Sequence, residues 1–323
     1  MSSQSTTTDY INSLQLTYKY LFQYPGSVML VLGLVGSSLS CIVFNKKILR
    51  KNPCSIYMTA FHISNLVQIV TLILASVLSI GYGMTVVTRT LGLCRFNLYT
   101  AFALDVLSPS LLILASIDRI LVTSPNALTR QRSTCRRAYI SIVCVTLLWL
   151  LFHSHPWFLM SVIQLAPDVF ICYTQSPIYL SAISYYTVIK SILIPSLLAS
   201  LGILAIRNVH QLRFRLVAPD ILTMGTGKSR SIQSFHARDY QLVRILLIDI
   251  CVYVMCTYPQ TAFNLYLQIT QSNMKSADQI QADTAIQYIC SFFGYIPYCV
   301  GFYTNLIVSK TFRNEVKHIF LCK

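Results

Sequence analysis

Charge is what this chain is short of. Only 11% of its 323 residues are Asp, Glu, Lys or Arg, and 10 of them are acidic. Soluble globular proteins carry roughly 25%. So few ionic groups cannot cover a water-facing surface. With a mean hydropathy of +0.59, the composition excludes an ordinary soluble domain and points to a membrane protein. Other absences narrow the reading further. Residues 1–22, MSSQSTTTDYINSLQLTYKYLF, have no basic start leading into an apolar core. No secretory leader is expected there, and the first apolar run doubles as the insertion signal. The same tail has no Asn-x-Ser/Thr acceptor, since Asn12 is followed by Ser13 and Leu14, which excludes N-glycosylation in it. No internal repeat is evident, which argues against a transporter built from two matching halves.

Motifs for chemistry are equally scarce. The six histidines and eleven cysteines show no zinc spacing. His153 and His155, in HSHP, stand two apart and would not share a helix face, so no metal is expected. MGTGKSRS, 224–231, has Leu222 where a phosphate-binding loop needs its first Gly, and no apolar strand precedes it. It reads as a flexible, basic, serine-rich loop. No nucleophile with its base and orienter can be assembled from spacing. The chain reads as a non-enzyme without a cofactor.

Long apolar runs are what the sequence does have. A helix needs about 20 apolar residues to cross a bilayer. Seven runs qualify, at roughly 26–45, 55–80, 92–122, 138–164, 179–206, 241–269 and 284–309. The fold class expected is therefore all-α, a seven-transmembrane helix bundle. A tail at 1–25 precedes the membrane domain at 26–309, and an amphipathic helix and tail follow at 310–323. Phe312, Val316, Ile319 and Phe320 recur on one face of that last segment, which suits a short eighth helix lying on a leaflet. Cys322 just beyond it is a lipidation candidate.

Basic residues set the expected orientation. Lys46, Lys47, Arg50 and Lys51 fall on one side, with Arg130, Arg132, Arg136 and Arg137, the seven from Arg207 to Arg244, and Lys310, Arg313, Lys317 and Lys323. The other side has Lys19, Arg89, Arg95, Lys190 and Lys275. By the positive-inside rule the richer side faces the cytoplasm, which puts residue 1 outside and residue 323 inside. The net charge of +15 is thus a topology signal with attraction to anionic lipid, not a nucleic-acid footprint.

One greasy run, LLILASIDRILVTSP at 111–125, holds an adjacent acid and base, Asp118 and Arg119. Arg119 follows Cys94 by 25 residues, a helical rise of roughly 37 Å against a hydrocarbon thickness of about 30 Å. The pair therefore sits at the inner rim and Cys94 at the outer mouth of one helix.

Several spaced features resemble the rhodopsin-like G-protein-coupled receptors, over roughly 26–320. The third run reads Cys94-x24-DRI, like that family's Cys followed by D-R-Y. Trp149, with Pro156 seven on, Pro195 in the fifth run, CTYP at Cys256–Pro259 and SKTFRNEVKHIF at 309–320 match in order. The resemblance implies an activation switch at Asp118 and Arg119, with Pro259, Tyr303 and Asn305 taking part, and a polar core of Asn65, Ser108, Trp149 and Pro195. It also implies a disulfide between Cys94 and Cys172, the two cysteines expected outside, where the environment is oxidising. The cysteines within the runs are expected to be small packing residues.

The implied function is a plasma-membrane receptor. It would bind an extracellular ligand, peptide or small molecule, and activate a heterotrimeric G protein. The chain departs from the family at several places. Ser37 replaces an Asn, Asn65 an acid, Ile120 a Tyr and Thr257 a Trp; Ile203 stands where a Tyr is usual; GFYTN, 301–305, stands where N-P-x-x-Y would. Ligand-binding candidates are Asp105, about 16 Å below Cys94 along the helix, which either faces a cationic ligand group or is an internal acid hydrogen-bonded to Tyr or Ser, with Gln164, Tyr186, Tyr258, Gln260, Phe263, Gln287 and Tyr288. The amine-receptor acid would fall at Ala101, which disfavours a monoamine. Asp249 is a second buried acid, too deep for a ligand and expected to contact Arg119 or other inner-face groups. The alternatives are a transporter or channel, or a seven-helix protein that does not signal.

Overall fold

A computed structural model describes residues 2–320 except 48, 125, 167–168, 175 and 218–227. Seven helices in it are long and apolar enough to cross a membrane: Asp9–Phe44, Pro53–Gly81, Leu91–Thr123, Cys135–Leu159, Pro177–Asn208, Gln241–Ile269 and Ala277–Val308. The protein is an all-α, multi-pass membrane protein. The spans are called first to seventh below. The amphipathic helix Lys310–Phe320 follows the seventh, with Phe312 and Val316 buried against the bundle. Cys322 and Pro125 lie outside the described residues, as do 224–227 of the loop singled out in the sequence.

The third span is the hub. Of its apolar window 61% is buried, against 6% for the fourth, which lies at the edge of the bundle. Leu104, Leu107, Leu111, Leu112 and Ala115 line its inner faces. They pack with Met58 and Phe61 of the second span, Leu198 of the fifth, and Ile245, Leu246 and Ile250 of the sixth. Lipid tails are as apolar as Leu, so close packing and interhelical hydrogen bonds hold such a bundle together. Gly33 illustrates the closeness: a Cβ there would stand 2.7 Å from the Cys299 Sγ of the seventh span. The second span departs from regular α geometry in two π-helical segments, Ile69–Ile73 and Val77–Gly81.

Two expectations are corrected here. The tail before residue 25 is helical, from Ser2 to Gln23, and runs into the first span through Tyr24. Burial of Ile11 and Phe22 explains why, since Phe22 packs edge-on to Phe292 and Tyr295 of the seventh span. The fourth span also stops short of 164. Its main helix ends at Phe152, Pro156 opens a further turn to Leu159, and the chain then forms a two-stranded antiparallel hairpin, β1 (Ser161–Ala166) and β2 (Val169–Tyr173). Apolar β-branched residues such as Val162, Ile163, Val169 and Ile171 suit a strand as well as a helix, so apolar length alone had overextended the span.

Candidate functional site

The polar chemistry gathers at two levels along the third span. Near its first turn, Cys94 is disulfide-bonded to Cys172 of β2, with the Cα atoms 5.7 Å apart. The bridge pins the hairpin over the end of the bundle. Arg95 supports it by donating to the Met160 carbonyl at 3.0 Å.

Three turns deeper, Asp105 meets two partners from other helices. Lys190 of the fifth span donates to Asp105 Oδ2. The Tyr298 hydroxyl of the seventh donates to Oδ1 at 3.0 Å. The sequence counted Lys190 with the charges outside the membrane; it lies inside the bundle. The signal that could have found it is chemical. Lys190 is the one basic residue within the apolar run 179–206, and an acid within the membrane usually has a partner. His153, Tyr186, Tyr253 and Tyr295 lie within electrostatic reach of Asp105. Tyr186 also bonds His153 Nε2 at 2.9 Å. The Asp105 side chain is 37% exposed despite its depth, so the space beside it is open.

Of the other ligand-binding candidates, some join this level and some do not. Gln260 faces inward and donates to Ser291 Oγ at 3.3 Å. Tyr288 packs at 5.1 Å on Tyr18, so the N-terminal helix covers it. Phe263 packs on Tyr266, its own neighbour one turn on. Tyr258 is corrected: at 70% exposure it points away from the bundle. Helical residues two apart point to different sides, so Gln260 turns in where Tyr258 turns out. Gln287 is exposed on the seventh span. Gln164 lies exposed on β1, opposite Phe170, because the fourth span ended earlier. His153 and His155 were expected on different faces. Because the helix breaks after Phe152, their rings approach to 5.9 Å. His155 bonds the Tyr179 hydroxyl, and no metal-binding group occurs among the described residues.

Between the two levels runs the polar core. Ser108 donates to Asn65 Oδ1, tying the third span to the second. Trp149 Nε1 donates to Ser110 Oγ at 3.0 Å, tying in the fourth. Pro195 sits within the fifth span and Pro259 within the sixth, as expected. Asp249 does not reach Arg119. Its Oδ1 accepts from Thr304 of the seventh span at 3.3 Å. With Ser108, Tyr253 and Tyr298 it lines a cavity of about 10 Å³, enough for one water molecule and no larger ligand.

Arg119 marks the second level, and only 1% of it is exposed. Its Nη2 donates to Asp118 Oδ2 at 2.5 Å and to Asn52 Oδ1 at 2.8 Å. Ser133 Oγ donates to the other Asp118 oxygen at 2.5 Å. Asn52 was not singled out from the sequence. It is the N-cap of the second span, its side chain also accepting from the Cys54 amide at 3.0 Å. The sequence signal was Asn52-Pro53 before an apolar run, a helix start. A buried charge of this kind is tolerated only when paired and hydrogen-bonded. The arrangement makes a latch joining the third span to the start of the second and to the segment before the fourth.

Of the remaining switch candidates, Tyr303 donates to the Leu32 carbonyl of the first span at 3.1 Å. Asn305 is fully buried, and its amide meets no hydrogen-bond partner among the described residues. The geometry thus brings Asp118 and Arg119 together but leaves Tyr303 and Asn305 apart from them. No protein-family model matches the chain, and no curated protein matches it in sequence.

Proposed function

We propose that the chain is a cell-surface receptor of the rhodopsin-like kind. It takes a peptide or small-molecule ligand from outside and activates a heterotrimeric G protein from its cytoplasmic face. The observation that carries this is the third span. It bears a disulfide-bonded hairpin at one end and, 25 residues on, a buried arginine latched by its neighbouring acid. The latch lies among the loops richest in Lys and Arg, which supports a cytoplasmic position for that end. Ligand contact near Asp105 shifts the packing of the fifth, sixth and seventh spans around it. The latch then opens if the ligand prefers the open state, since a ligand moves an equilibrium only by its differential affinity.

The test is expression with an N-terminal tag. The tag is reached on intact cells, and nucleotide exchange on G proteins is measured for the wild type and Arg119→Ala. Basal or ligand-driven exchange that Arg119→Ala alters supports the proposal; exchange by no G protein overturns it. One observation favours a second reading, transport. Buried polar groups of the second and seventh spans, Ser64, Asn65, Gln68 and Asn305, have atoms without partners among the described residues. The second span also carries irregular turns. Solute flux through the reconstituted protein would favour that reading.

A further inference from the structure

We infer that the site around Asp105 takes the ammonium-carboxylate head of a free α-amino acid with an apolar side chain. This rests on the receptor reading for the route by which the ligand enters. Charge balance comes first. Asp105 and Lys190 neutralise each other within the bundle. A cationic ligand that displaced Lys190 would leave an ammonium unpaired there, and an anionic ligand would strand Asp105. Either outcome leaves an uncompensated charge in a poorly solvated place. A ligand carrying both charges exchanges one ion pair for two and strands nothing.

Access and spacing narrow the class. The Asp105 side chain is 37% exposed and that of Lys190 14%, so the pair borders open space rather than packed core. Lys190 Nζ and Asp105 Oδ2 are in direct contact. A ligand answering both must hold its own two charges a few atoms apart. The two groups on one α-carbon do this, whereas the termini of a longer peptide do not. Tyr298 holds the other Asp105 oxygen at 3.0 Å and keeps the carboxylate oriented. Tyr186, Tyr253 and Tyr295 lie within electrostatic reach of Asp105. The neighbourhood is therefore aromatic, which suits an apolar side chain on the ligand.

The test uses the full-length chain in nanodiscs, with unfolding followed by a thiol-reactive dye at the buried Cys54 and Cys299. The probes are L-phenylalanine and L-leucine. Each is compared with its amide (cation only), its N-acetyl acid (anion only) and its N-acetyl amide (neutral). A ligand that binds only the folded state delays unfolding. At least one free amino acid is expected to bind roughly tenfold or more tighter than its three blocked forms, the value of a charge-assisted hydrogen bond. Lys190→Met is expected to turn the preference toward the amide, and Asp105→Asn toward the N-acetyl acid. The double exchange Asp105→Lys with Lys190→Asp restores the zwitterion preference, which separates the charge effect from misfolding. A neutral form that binds as tightly as the zwitterion overturns the inference, and so does a failure of both series to delay unfolding. Nucleotide exchange measured in parallel separates the two proposals. Binding without exchange by any G protein sinks the receptor reading alone. Arg119-dependent exchange without amino-acid binding sinks this inference alone.

Discussion

Replacing Asn52 by Ala tests the latch directly, because one side-chain oxygen does two jobs. It caps the second span through the Cys54 amide at 3.0 Å and accepts from Arg119 at 2.8 Å. Loss of an N-cap costs about 1 kcal/mol. A hydrogen bond to a charged group contributes about 1.5–3 kcal/mol. The expected destabilisation of Asn52→Ala is therefore about 2.5–4 kcal/mol. Asn52→Ser separates the terms: Ser caps as well as Asn, but its oxygen is one bond nearer the backbone and falls short of the guanidinium. Asn52→Ser is expected to lose only the Arg119 share. The assay is reversible unfolding of the reconstituted protein in mixed micelles of increasing denaturing detergent. A double-mutant cycle with Arg119→Gln then isolates the pair. A coupling energy below about 0.5 kcal/mol, the scatter of independent sites, would refute the idea that the second span is tied to Arg119 through Asn52.

Three further outcomes follow from contacts elsewhere. Gly33→Val drives a side chain into Cys299 and Ile69, whose atoms would lie 2.7 and 3.0 Å from the new Cβ. A loss of about 1–3 kcal/mol is expected in the same unfolding assay, while Gly92→Ala, with nothing within 4 Å, is neutral. Cys94→Ser with Cys172→Ser opens a loop whose ends are 78 residues apart. About 4.5 kcal/mol is expected to be lost on the chain-entropy account, read as earlier unfolding that reductant no longer worsens. Glu315→Gln breaks an ion pair with Lys46 at 2.9 Å that is partly open to solvent, and Lys46 keeps its bond to the Glu315 carbonyl. Less than about 1 kcal/mol is expected to change, measured the same way.

Membrane spans were legible because the bilayer enforces a length on apolar runs, and all seven recur close to where hydropathy put them. The fourth was overextended because hydropathy does not separate a helix from an apolar strand, and Val162 to Leu165 continue the greasy count past the real helix end. Depth was legible too, since 1.5 Å per residue places Asp105 and Arg119 without any tertiary knowledge. Facing was not. Tyr258 and Gln260 share a depth, yet only contact with neighbouring helices decides which turns inward. Lys190 was missed for a related reason. Charge counting assigns a lone basic residue to a membrane face, whereas its acid partner sits 85 residues away in the chain. Asn52 was missed because its importance lies in what approaches it from the third span, and no local pattern records that.

The two π-helical turns in the second span have a consequence for anyone aligning this chain with others. An i→i+5 turn spends one residue more than an α turn. Past Ile73, the first such turn has offset the numbering from the helical phase set by Pro53–Gln68. A column-by-column alignment of this segment to an unbulged helix would match lipid-facing positions to inward ones. A gap placed within Ile69–Ile73 restores equivalence for the residues up to Gly81.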